Sequence, residues 1–169
     1  IDNLKRTLSP SEVSRLLLGN WEAQDDPDSL ISSDDILEMY DHSMSKNDSL
    51  TRFLSVDVAF KQDGCVLFVW EGNDVIDIIK VGKNEIVLDK IKQTAQEYDI
   101  QTRYIAYDSD GVGQYIKQYL RTAKAIINNG KVLKGENYKN LKAQLYYKLG
   151  ELIRDGKIKI KTTKFKKEI

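Results

Sequence analysis

The sequence predicts an α/β domain on a mixed five-stranded sheet flanked by helices, with three antiparallel strands first and then parallel strands four and five. Two sequence features and one topological rule predict it. Apolar runs of strand length between residues 53 and 81 are joined by Asp-Gly and Gly-Asn turns, which make sequential strands antiparallel neighbours. Beyond residue 84 helical and strand periods alternate. Right-handed crossovers then place strand four beside strand one and strand five outside it.

The first fifty residues are too interrupted to form a domain and read as a linker or the tail of a preceding one. Ser9-Pro10-Ser11-Glu12 is a capping-box pattern with Pro at the first helical position, and Val13, Leu16 and Leu17 make an apolar stripe. Asp25-Asp26-Pro27-Asp28 is an acidic connector, and Ser33 is positioned to cap a second helix with Ile36, Leu37, Tyr40 and Met44 on one face. A polar loop follows from 45 to 49.

The main domain is expected over 51–169. Phe53 to Phe60 alternates, with Leu54, Val56, Val58 and Phe60 on one face and Ser55, Asp57 and Ala59 on the other. It runs to a Gln62-Asp63-Gly64 turn, from which Cys65 to Trp70 returns; Gly72-Asn73 turns into Val75 to Val81. Asn84 is positioned to cap a helix carrying Val87, Ile91, Ala95 and Tyr98, and Thr102 to Tyr107 reads as strand four. After Asp108-Ser109-Asp110-Gly111-Val112-Gly113 comes a helix with Val112, Ile116, Tyr119 and Leu120 on one stripe, then strand five over Ala123 to Ile127. A long basic helix from Asn137 to about Asp155 presents Leu141, Leu145, Leu149 and Leu152 inward, and Lys157 to Lys161 alternates as an edge strand does.

Composition narrows the chemistry. The chain has 169 residues, 41% hydrophobic and 31% charged, as in a soluble globular domain. No apolar run reaches membrane-span length and no secretory signal pattern opens it, so an intracellular protein is expected. It begins at Ile, which reads as a fragment of a longer chain. One cysteine, Cys65, and one histidine, His42, exclude a disulfide framework and argue against zinc sites and His-based triads. Any metal would be held by oxygen, as suits magnesium or manganese. The net charge of zero hides a division: 11 Lys/Arg against 22 Asp/Glu up to Ile116, then 15 against 4 from Lys117. A basic second part suits a polyanion, nucleic acid first among them.

Asp57 lies mid-strand, where a lone charge is costly unless paired, and a bound cation would offset that cost. With strand four beside strand one, Asp108 stands over the same face. Two carboxylates at a sheet surface are what two-metal phosphodiester cleavage requires. Asp63 and Asp110 each precede a glycine; turn chemistry accounts for both, and either could also join a metal. Lys139, Lys142, Lys148, Arg154, Lys157 and Lys159 could follow a DNA backbone without reading sequence. Tyr138, Tyr146 and Tyr147 stand among these lysines and could stack on bases, but at helical spacing some must be core. Gly111-Val112-Gly113 resembles a dinucleotide fingerprint, but its third glycine falls on Ile116 and the preceding hairpins break the βαβ context.

Ser55-Val56-Asp57-Val58-Ala59, the Asp108 to Gly113 turn with Tyr115 to Leu120 after it, and Tyr138-Lys139-Asn140-Leu141-Lys142-Ala143 together resemble the C-terminal nuclease domain of the large terminase subunits of tailed bacteriophages. Leu8 to Glu22 resembles the end of the ATPase domain that precedes it, which would make 1–50 that domain's tail or linker. The resemblance implies an RNase H-like fold and an endonuclease that cuts concatemeric double-stranded DNA during genome packaging, with Mg2+ or Mn2+ at a two-metal site of three acids. Asp57 and Asp108 map to the first two. The third belongs to a later segment and is expected beyond residue 169, since Glu151 and Asp155 read as ordinary helix residues. The implied partners are double-stranded DNA, the ATPase domain of the same polypeptide, the portal and the small terminase subunit, in the bacterial host cytoplasm. There is no Walker A loop in this sequence. Another RNase H-like nuclease, such as a junction resolvase, and a non-catalytic DNA-binding or docking module are the alternatives.

Overall fold

The computed structural model describes residues 29–40, 49–58, 64–82 and 85–162. The first helix at Ser9, the acidic connector, Met44, His42, the loop 45–48, Ala59, Phe60, Asp63, Asn84, the side chain of Val112 and the basic tail 163–169 lie outside the described residues.

Among the described residues six strands form one sheet. They are β1 (Arg52–Asp57), β2 (Val66–Glu71), β3 (Asp74–Lys80), β4 (Ile105–Asp108), β5 (Lys124–Ile126) and β6 (Lys159–Ile160). Their order is β5-β4-β1-β2-β3-β6, with β1, β2 and β3 antiparallel in sequence and β4 and β5 added in parallel outside β1. The expected mixed sheet is therefore present. The expected count of five rises to six because β6 pairs in parallel with β3 through Asp74 and Val75.

Alternation sets the two faces. Leu54, Val56, Leu67, Val69, Ile105 and Tyr107 are all buried on one face, where α2 (Val87–Glu97) and a 3₁₀ helix (Gly111–Gln118) cover them. From α2, Leu88, Ile91 and Thr94 point inward. Local chemistry moves several boundaries from their expected places. Residues Thr102–Tyr104 form a 3₁₀ turn rather than the start of β4. The helix after β4 is 3₁₀, and the cap of α2 is Ile86, with no side-chain hydrogen bond.

Helix α1 (Ser33–Met39) is capped one residue earlier than expected, by Ser32. The Ser32 hydroxyl accepts from Asp35 N–H at 3.1 Å and Asp35 accepts from Ser32 N–H at 2.7 Å, a reciprocal capping box. That second bond holds the half-buried Asp35 carboxyl below its ordinary range. Helix α1 lies against α3 (Leu141–Arg154) and β6.

The inward stripe of α3 differs from the expected one. Leu141, Gln144, Gly150 and Ile153 are buried, while Leu145 and Leu149 are exposed. Gln144 can take an inward position because its amide is satisfied twice by Leu133, accepting from the backbone N–H at 2.7 Å and donating to the carbonyl at 3.0 Å. Gly150 admits the Leu30 carbonyl, which would stand 3.3 Å from a Cβ there. The stripe thus turns away from the leucines.

Behind the core face a buried ion-pair donor is also absorbed. Lys159 is 2% exposed, and its ammonium donates to the Glu38 carbonyl at 3.0 Å and to Glu38 Oε1 at 3.3 Å. Asp74, equally buried, meets Lys161 at 2.6 Å.

On the core side Tyr98 donates its hydroxyl to Asp77 Oδ2 at 2.7 Å. That bond, then burial, then the charge of Asp77 push the Tyr98 pKa up to about 12 from 10.0. A folded-state pKa above the unfolded one favours folding fully below the unfolded value and loses that contribution as pH rises through the folded value. The urea midpoint should therefore lose a Tyr98-dependent contribution between pH 10 and about 12. The difference between the parent and Tyr98→Phe isolates it: constant at pH 8–9, shrinking above 10. A difference that stays constant to pH 12 contradicts the assigned bond.

Candidate functional site

The parallel ladder between β1 and β4 pairs Leu54 with Ile105, Ser55 with Ala106 and Val56 with Tyr107. Val56 and Tyr107 are both buried in the core. Successive strand residues point to opposite faces, so Asp57 and Asp108, each one step farther along, share the other face. Both are the last residues of their strands. Adjacent strands lie about 4.8 Å apart, so carboxylates at this step can approach the same small cation.

This point has a topological reason. From β1 the chain runs outward on one side through β2 and β3, then returns to place β4 and β5 on the other. In open α/β sheets the carboxyl ends of strands at such a reversal leave a crevice, because successive connections diverge there.

Asp57 is exposed and Asp108 half-buried. Asp57 ends its strand, which corrects its expected mid-strand placement. Solvent therefore covers much of its charge, and a cation is not needed to offset burial. The reason to consider a cation is the second carboxylate beside it. The donors are hard oxygens on a face opposite the buried Cys65, a set that fits magnesium or manganese. Among the described residues no group of three His, Cys, Asp or Glu is placed to hold a metal.

Asp108 is positioned by its own loop. Its Oδ1 accepts the Asp110 N–H at 2.9 Å, and Asp110 Oδ2 accepts the Asn128 N–H at 3.0 Å. Ser109 N–H donates to the Ile126 carbonyl at 2.8 Å. The Asp110 carboxylate is thus occupied in tying the β4 and β5 ends together. Asp63 lies outside the described residues.

The expected DNA-binding residues divide. Lys139 and Lys142 are exposed, with the Lys142 ammonium 5.7 Å from the Tyr146 ring centroid. Lys148 faces Glu136 at 3.5 Å and Glu151 at 3.4 Å, and the bond to Glu151 pushes its pKa up. Arg154 donates to the Leu30 carbonyl, and Lys157 pairs with Asp155 at 2.8 Å; both side chains are at the surface. Lys159 is the correction: an ammonium buried against Glu38 cannot reach a phosphate.

Sequence reasoning placed Gly113 in the turn after strand four but missed what it does there. A Cβ there would overlap the Asp108 carbonyl oxygen, so the absent side chain lets the 3₁₀ helix fold directly back over the acid. The signal was present, since glycine two residues after Gly111 at a strand-to-helix turn marks close backbone approach. It also missed the aromatic cluster of Phe53, Trp70 and Tyr104, whose members sit on three different elements.

Gly113→Ala should cost about 1–3 kcal/mol of stability through overpacking. Denaturant unfolding measures this. A variant as stable as the parent would show that the helix does not need this approach.

No family model matches the chain, and no curated protein matches it. Among solved structures it is similar to the large terminase nuclease from thermophilic phage G20c, at 17% identity and a TM-score of 0.47, over 70% of this chain and 62% of that one. The same nuclease with bound zinc aligns at 15% identity and a TM-score of 0.48, over 73% and 71%. The chain spans about three fifths of the length of the first of these.

Proposed function

We propose that this chain is the nuclease domain of a phage large terminase subunit, a metal-dependent endonuclease that cuts concatemeric double-stranded DNA during genome packaging. One observation carries the reading: Asp57 and Asp108, 51 positions apart in the chain, end neighbouring parallel strands on one accessible face. The order and spacing of the sequence motifs around them support it further. Asp57 and Asp108 are the residues that would hold Mg2+ or Mn2+. When bound, the ion supplies Lewis acidity toward a phosphodiester.

The chain's own residues have distinct tasks. The Asp110 N–H fixes one oxygen of Asp108, which limits how its carboxylate turns. Lys139 and Lys142 offer exposed ammonium groups to a DNA backbone, while Lys148, Arg154 and Lys157 would exchange their present partners for phosphates. Double-stranded DNA is the substrate on this reading. The ATPase domain of the same polypeptide, the portal and the small subunit are its partners, and the host cytoplasm is its location. Among the described residues no helix is long and apolar enough to cross a membrane.

The second reading is a non-catalytic DNA-docking module, favoured by the absence of a three-acid group among the described residues. Plasmid cleavage in Mn2+ and in Mg2+ separates the two. The parent should nick and linearise plasmid, EDTA should abolish cutting, and Asp57→Asn and Asp108→Asn should each lower the rate by about a hundredfold or more, since even outer groups at metal sites cost 10–100-fold. Cutting that survives both substitutions removes the metal assignment. A parent that binds DNA with a steep salt dependence yet cuts nothing supports docking, and a strong preference for branched over linear duplex supports a junction resolvase.

A further inference from the structure

On the same sheet face as the two acids, and one pleat back along β1 and β4, lies a cleft of about 410 Å³. Phe53, Trp70 and Tyr104 supply aromatic walls, Leu149 of α3 closes one side, and Arg103 and Lys124 stand among its lining residues. Its volume is that of a small-ligand site. No carboxylate lines it among the described residues, so its charge is positive.

The aromatic groups are held in place rather than merely collected. The Trp70 indole N–H donates to Ser55 Oγ at 2.8 Å, which satisfies its one polar atom and fixes the ring. Phe53 meets Tyr104 edge-on, with ring centroids 5.4 Å apart and an interplanar angle of 84°. The Arg103 guanidinium lies 5.0 Å from the centroid of the Tyr104 ring. Fixed rings beside cations suit an occupant with a flat apolar body and an anionic edge.

A nucleotide has that form, and position strengthens the match. Ser55 and Ala106, which line the cleft, are two residues before Asp57 and Asp108, roughly 6.6 Å along each strand. We infer that this cleft takes an unpaired nucleobase of the DNA strand next to the cutting centre, stacked on the Tyr104 and Trp70 rings, with its phosphate drawn by Arg103 and Lys124. The placement beside a cutting centre rests on the nuclease reading above; the binding chemistry does not. A duplex would then have to fray or extrude one base at the cut, and unpaired ends would bind more tightly than intact duplex.

The test uses the full chain carrying Trp21→Phe, so that Trp70 is the one remaining tryptophan. In EDTA it is titrated with 5′-labelled oligothymidylate eight nucleotides long, and with an abasic oligomer of the same phosphate count. Tryptophan quenching and anisotropy are both read. The thymidylate should quench Trp70 saturably and bind about tenfold tighter than the abasic strand, and Tyr104→Ala should remove most of that preference. Lys124→Ala should weaken both strands and reduce the salt slope by about one.

Equal affinity for the two strands, or binding that leaves Trp70 unquenched, overturns the inference without depending on any cleft variant's folding. Cleavage is read separately. A parent that prefers the base-bearing strand yet cuts nothing supports the cleft and overturns the nuclease reading. One that cuts but shows no preference does the reverse.

Discussion

The parallel pairing of β1 with β4 is the constraint from which the rest of the arrangement follows. Leu54 and Val56 interleave with Ile105 and Tyr107 on the buried face, and each of the four is no more than 4% exposed. A slip of one residue would turn a whole strand over, carrying aspartate into the core and isoleucine or valine out of it. Antiparallel pairing with β2 holds β1 from its other side, matching Leu54 with Val69 and Val56 with Leu67. Burial of three aliphatic side chains and one tyrosine therefore decides where the carboxylates stand. The same pleat that turns Asp57 and Asp108 outward turns Phe53, Ser55 and Ala106 outward with them, so the acids and the aromatic cleft share one surface.

The strand order was legible because the local signals agreed with one another: apolar alternation, turn residues at fixed places, and a change of period where the helices begin. The facing of Asp57 and Asp108 followed from the same alternation. What was not legible depended on partners distant in sequence. Lys157 to Lys161 alternates as an exposed edge strand would, yet Lys159 is buried because Glu38 meets it from 121 positions upstream. The inward face of α3 was misread because leucine at every fourth position is a strong signal and a buried glutamine is a weak one. Gln144 becomes acceptable inside only once the Leu133 backbone is there to bond it. The cleft escaped notice for a related reason, since Phe53, Trp70 and Tyr104 are unremarkable singly and meet only through the sheet.

Charge tells a similar story. The basic second half of the sequence suggests a broad cationic surface, but part of that charge is matched within the fold. Lys148, Lys157, Lys159 and Lys161 each face a carboxylate. The pairs of Lys148 and Lys157 are at the surface, where an ion pair contributes roughly 0–1 kcal/mol and is readily exchanged for a phosphate. Lys159 differs because leaving Glu38 would strand a buried ammonium. The distinction that matters for binding a polyanion is thus between pairs that can open and pairs that cannot, and sequence composition does not separate them.

The position of the acids also changes the physical case for a cation. A carboxylate in mid-strand would need an ion to offset its desolvation. At a strand end it keeps solvent and needs none. What remains is repulsion between two neighbouring carboxylates, and here the loop after β4 matters. Asp110 N–H, Asn128 N–H and the close passage allowed by Gly113 hold Asp108 in place, so it cannot relieve the repulsion by swinging the whole loop away. A flexible loop would let the charges separate, and no ion would gain by lying between them. A loop tied down in this way beside a solvated strand end keeps the two carboxylates on one face, an arrangement in which a divalent cation would gain by binding both.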